Sequence, residues 1–101
     1  MAIYETLQST GLPCVYSHFR GDTPITPPYL SYYGTGQDTF KADDTIYYKE
    51  NSYRIEFYFI AKDESLEESI ETALLTAGYI YEKSDDVYIE SEGVYVIYYT
   101  I

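Results

Sequence analysis

A chain of 101 residues that is 46% hydrophobic and 19% aromatic has the size and composition of one folded domain, and it carries too many aromatics for a disordered acidic tail. Its formal net charge of -11, with Lys+Arg 6 against Asp+Glu 17, leaves little for a basic patch on nucleic acid or for attraction to anionic membranes. A single cysteine excludes an internal disulfide. No apolar run approaches the roughly 20 residues of a membrane span and no signal peptide is evident, so a soluble intracellular protein is expected.

In chain order, "AIYETLQSTGLP" predicts a short N-terminal helix, with Ile3 and Leu7 one turn apart, Gly11 as terminator and Pro13 barring continuation. "CVYSHF" predicts a first strand. "RGDTPITPP" predicts a loop, because its prolines exclude a helix and a central strand. "YLSYY" predicts a strand and "GTGQDTFKADD" a second long loop. "TIYYKENSYRIEFYFIA" predicts two strands joined near Glu50–Asn51–Ser52. From Tyr53 onward, Tyr53, Ile55, Phe57 and Phe59 alternate with Arg54, Glu56, Tyr58 and Ile60, as in a strand with one dry and one amphipathic face.

"KDESLEESIETALLTAG" predicts a longer helix over about 63–77. Asp63 is the preferred N-cap, with Ser65 and its capping-box partner Glu68 as the alternative, and Gly78 ends the helix. Leu66, Ile70, Ala73, Leu74 and Ala77 form the core stripe, which places Glu64, Glu67, Glu68, Glu71 and Leu75 on the opposite side. Those acids are either a solvated face that also suits the positive helix end, or part of a subunit interface with Leu75 as its apolar anchor. "YIYEK", "VYIES" and "VYVIYYTI" predict three closing strands, the last apolar on both faces and therefore central or covered twice. The sum is an α+β fold: a mostly antiparallel sheet with a short N-terminal helix and one longer acidic helix packed on one face.

Catalytic candidates are few. His18 falls in a predicted strand, Cys14 has no basic neighbour in sequence to lower its pKa, and no nucleophile–base constellation can be assembled. The pairs Asp43–Asp44, Asp63–Glu64 and Asp85–Asp86 lack the spacing of a calcium loop, and Gly34 and Gly36 make only a fragment of a phosphate loop. No enzyme activity, cofactor or metal is expected. The 15 tyrosines are the unusual statistic, and the pairs Tyr32–Tyr33, Tyr47–Tyr48 and Tyr98–Tyr99 would present a ring to both sheet faces.

Taken in order, "STGLP" (Ser9–Pro13), "PPYLSYY" (Pro27–Tyr33), "FKADD" (Phe40–Asp44), "YRIEFYFIAKD" (Tyr53–Asp63), the acidic helix and "YIESEGVY" (Tyr88–Tyr95) give a resemblance that spans nearly the whole chain. The chain resembles the tail terminator, or tail-completion, subunits at the head–tail junction of siphophages and prophages of Gram-positive bacteria. The resemblance implies a structural virion protein, made in the host cytoplasm. It would form a ring of identical copies, typically a hexamer, that caps the tail tube. Its partners would then be itself, the major tail tube protein and the head-completion or connector protein, with DNA only as passing cargo and no membrane. The chain is shorter than some members, and it is expected to lack their long insertions or arms. In such a ring, acids at Glu64–Glu71 or in "FKADD", with Asp43 and Asp44, would line the channel and repel passing phosphates. The loops holding Pro27, Pro28 and Tyr29, and Phe40, are expected at intersubunit or tube contacts. The alternatives are the head-closure protein of the same junction and a small acidic DNA-mimic inhibitor.

Overall fold

The computed structural model describes residues 3–16, 26–42 and 45–101, with side chains at all of these except 37–42 and 45–51. His18, Arg20, Asp43 and Asp44 lie outside the described residues, as does most of the proline loop before Thr26.

Helix α1 (Ile3–Gln8) is followed by strands β1 (Cys14–Tyr16), β2 (Tyr29–Ala42) and β3 (Thr45–Phe59), helix α2 (Glu64–Thr76), and strands β4 (Glu82–Lys83), β5 (Val87–Ile89) and β6 (Val94–Thr100). The strand order is β1-β2-β3-β6-β4, with β5 also on β6. Only the β1–β2 pair is parallel; every other pair is antiparallel. The expected α+β fold is therefore the observed one.

Both helices sit on one face of the sheet, because the alternation of β3 and β6 supplies a single dry surface. Ile55, Phe57 and Phe59 of β3 and Ile97 and Tyr99 of β6 are buried there, with Leu30 of β2. Ile3 and Leu7 of α1 and Ile70 and Leu74 of α2 cap them. Each of these fully buried aliphatic side chains contributes on the order of 1.5–3 kcal/mol before entropy is charged against it. Cys14 is half-buried against the same cluster, in keeping with a packing role. As expected, β6 is central: it pairs with β3 along one edge, and with β4 and β5 in turn along the other. Ser84 bridges the gap between those two short strands. Its N–H donates to the Tyr98 carbonyl at 2.9 Å and its hydroxyl accepts the Tyr98 N–H at 2.8 Å.

Three segments differ from expectation. Residues read as a loop after Tyr33 continue β2 to Ala42, and the turn expected at Glu50–Ser52 is absent because β3 runs unbroken from Thr45. The register carries Gly36 against Ser52 and Phe40 against Tyr48, with irregularities at Gly34/Gly36 and Phe40/Lys41. Glycine, threonine and charge in "GTGQDTFK" look like loop chemistry, but a ladder already started between Tyr29–Gly34 and Tyr53–Tyr58 extends cheaply along both chains. Gly36, at φ 139, absorbs the irregularity in a region closed to other residues. The closing strand expected at "YIYEK" shrinks to Glu82–Lys83.

Because β6 pairs with β3 only from Arg54 onward, residues 36–42 and 45–52 leave the body as a two-stranded arm. At about 3.3 Å per residue the arm is roughly 25 Å long. It accounts for the elongated outline, 51 × 28 × 23 Å.

Candidate functional site

Helix α2 organises the most polar cluster of the body. Asp63 is its N-cap, accepting the backbone N–H of Ser65 at 3.0 Å and of Leu66 at 3.3 Å, so the preferred cap is the observed one. At the other end Gly78, at φ 92, lets the N–H groups of Gly78 and Tyr79 turn back to the carbonyls of Leu75 and Leu74.

Glu67 and Glu71 are corrections to the sequence reading, which set them on the outer face. Glu67 is 3% exposed and Glu71 half-buried. Glu67 lies three residues before Ile70, about 60° from the core axis at about 100° per residue, so it sits on the helix flank. What makes its burial tolerable is opposite charge. Its two oxygens meet Lys62 Nζ at 2.7 Å and Lys83 Nζ at 2.9 Å. Lys83 also contacts Glu71 at 2.9 Å, and Lys62 contacts Asp86 at 3.0 Å. Tyr81 and Tyr99 each donate a hydroxyl proton to Glu71, at 3.2 and 2.9 Å. Burial alone would raise the Glu67 carboxyl, but hydrogen bonds and charge from Lys62 and Lys83 outweigh it and hold the group below the usual range. Burial would likewise depress the Lys83 ammonium, yet Glu67 and Glu71 keep it well above its ordinary value. The Tyr99 hydroxyl is pushed far up, by burial first and then by Glu71. The cluster is a clamp from α2 onto β4 and β6, and its charges are spent internally.

Glu64 and Glu68 do remain exposed, and Leu75 is 58% exposed beside them. Of the other expected contact residues, Pro28 is exposed, Pro27 half-buried, and Tyr29 stacks on Tyr58 with ring centroids 4.9 Å apart. Phe40 pairs with Tyr48 near the arm tip, eleven residues along β2 from Tyr29, or roughly 35 Å. The anticipated residues therefore form separate surfaces and not one site.

Two surfaces were not anticipated. The first is the sheet face opposite the helices, where Ser31 and Val96 are buried and the larger side chains are half-buried, with Arg54 exposed. Its register brings together Tyr29, Tyr33, Arg54, Glu56, Tyr58 and Tyr98. Arg54 lies over the Tyr98 ring at 5.7 Å and donates to the Tyr33 hydroxyl at 3.3 Å. Burial lifts the Glu56 carboxyl despite hydrogen bonds from Tyr58 and Ser31 and the nearby Arg54. Such a face offers aromatic area with few free charges, suited to covering by protein. The β3 alternation already marked Arg54, Glu56 and Tyr58 as the second face.

The second is a groove of about 650 Å³ between α1 and α2, walled largely by small hydroxyl residues and alanines, with Glu68 at its side. Ser65, Ser69, Thr72 and Thr76 recur at i, i+4, i+7 and i+11, a helical stripe that was visible in the sequence. No group of acids, histidines or cysteines able to hold a metal occurs among the described residues. No protein family, curated protein or solved structure matches the chain.

Proposed function

We propose that the protein is a structural subunit of a tailed phage, a tail terminator or tail-completion protein that forms a ring on the tail tube and joins tail to head. The observation that supports this reading most is the β2–β3 arm. In the described strands nothing pairs with β2 beyond Tyr32 on its outer edge, and β3 before Tyr53 has β2 as its sole partner. An isolated two-stranded hairpin is marginal in water, so an arm of this length is built to be held by another chain. The half-buried tyrosine face supports the same reading, since an assembling subunit keeps aromatic area for its neighbours. Glu64 and Glu68 are the helix acids that remain available to face a DNA channel. Glu67 and Glu71 are neutralised by Lys62 and Lys83 and take no part in it.

The test is co-expression with the tail-tube protein encoded in the same genome, followed by density-gradient separation and electron microscopy of tube ends. Annular density at one end of each tube, present with this chain and missing without it, is the expected result. Tubes that never retain the chain, under any ionic condition, overturn the reading.

A further inference from the structure

We infer that the α1–α2 groove is a binding site for a primary alkylammonium group. The first observation is where its hydroxyl protons go. Ser9 donates to the Thr6 carbonyl at 2.6 Å, Thr10 to that of Leu7 at 2.7 Å, and Ser69 to that of Ser65 at 3.0 Å. A hydroxyl has one proton, so these three side chains meet a ligand with lone pairs only. Thr10 gives one lone pair to the Leu12 N–H at 3.2 Å and keeps the other. Glu68 adds a carboxylate at the side of the groove. The ion pairs among the described residues join Lys62 and Lys83 to Glu67, Glu71 and Asp86, and Glu68 enters none of them.

The helix ends add to this. Ser9 and Thr10 directly follow α1, and Thr76 and Ala77 close α2, so the C-terminal ends of both helices border the groove. Backbone carbonyls give such ends a partial negative charge. Neither helix carries a basic residue in its last turn to answer it. The acid surplus of the whole chain draws cations toward the same surface. A phosphate or a carboxylate would bring lone pairs and negative charge to groups of its own kind. The ligand is therefore a cation that donates hydrogen bonds.

The donor set decides which cation. A divalent metal asks for about six oxygens, several of them charged, and no group of three acids, histidines or cysteines occurs among the described residues. A guanidinium holds its donors in a rigid planar fork that suits paired oxygens. An ammonium is compact and aims three protons at separate acceptors, which is how carboxylate and hydroxyls are spread here. Ala73, Ala77 and the threonine methyls lie between those polar atoms and form an apolar bed for a methylene stem. The volume of about 650 Å³ suits a small ligand, and the α2 wall from Ser65 to Ala77 is roughly 18 Å long, enough for an extended amine. One exposed carboxylate holds a lone ammonium weakly, so the group arrives on a polyamine or on a lysine tethered to a protein. The site stands apart from the ring reading: a bound amine would cover Glu68 and leave Glu64 as the free acid.

The experiment is a spermidine titration of the isotope-labelled whole chain, read from backbone amide shifts in nuclear magnetic resonance at constant ionic strength. Saturable shifts are expected at Thr6, Ser69, Thr72 and Thr76. Glu68→Gln should weaken binding about fivefold, because it removes the carboxylate that meets the ammonium. Glu64→Gln removes the same charge from an exposed position outside the groove lining and should change it less than about twofold. Thr72→Lys places a tethered ammonium in the groove and should abolish the spermidine shifts. Uncharged butanediol, and magnesium chloride at matched ionic strength, should leave these amides unmoved. Nα-acetyl-lysinamide separates the two sources. Spermidine binding more than about tenfold tighter points to a free polyamine, and the same shifts at similar affinity point to a protein's lysine. Shifts scattered over all acidic surfaces, equal losses in Glu64→Gln and Glu68→Gln, or groove shifts reproduced by magnesium overturn the proposal.

Discussion

Replacing Glu67 by glutamine tests the clamp on α2 directly. The substitution keeps size and some hydrogen bonding but removes the one negative charge shared by Lys62 and Lys83 at 2.7 and 2.9 Å. A fully buried pair that loses one partner costs about 3–5 kcal/mol. An exposed pair is worth less than about 1 kcal/mol. Here the acid is 3% exposed while the lysines are 45% and 34% exposed and keep Asp86 and Glu71. The loss should fall between those limits, at about 2 kcal/mol, which for a domain of this size lowers Tm by roughly 10 °C. The pH dependence follows from the sign of the shift. The folded carboxyl titrates below its ordinary value, so the stability it confers is fully present above about pH 4.3. That stability drains away as pH falls through the lower folded value. Urea unfolding followed by far-UV circular dichroism should show the gap between wild type and Glu67→Gln narrowing from about pH 5 toward about pH 2. A gap that is independent of pH, or no larger than that of the exposed control Glu64→Gln, would refute the buried-clamp account.

Four further outcomes are expected. Asp63→Ala should lower stability by about 1 kcal/mol in chemical denaturation, and Ser65→Ala by clearly less, since Asp63 is the side chain that accepts the first-turn N–H groups. Tyr99→Phe should cost about 1 kcal/mol by the same assay, because it removes the hydroxyl that donates to Glu71 at 2.9 Å. Gly78→Ala should cost about 1 kcal/mol, and Gly78→Asn less, because φ 92 is strained for a side chain even though the space around it is open. Burial pushes the Cys14 thiol up to about 11, so at about pH 8 iodoacetamide should alkylate it on the order of 100-fold more slowly in the folded protein than in urea.

The legible parts of the chain were those governed by local spacing. The Ile70–Leu74 stripe, the Asp63 cap and the Tyr53–Ile60 alternation each follow from residues a few positions apart, and each stands in the structure as read. The arm was misread because "GTGQDTFKADD" has turn chemistry residue by residue, and only pairing with the following strand β3 makes Gly34–Ala42 β. Glu67 and Glu71 were misread for a related reason. A helical projection separates core from solvent by angle, but it cannot show that Lys83, sixteen residues from Glu67, arrives on the same flank. The Ser65–Thr76 stripe was visible as a period and acquires meaning only once α1 lies alongside it.

By itself, then, the order of amino acids determined the two helices, the dry face of the sheet and the surplus of acid, because these depend on short-range periodicity and on composition. Tertiary structure alone decided which acids keep their charge exposed, which strand edges stay open and which helix faces meet to form a groove. Those outcomes depend on contacts between residues far apart in the chain, where the cost of burying a carboxylate is set by whichever cation the fold delivers to it.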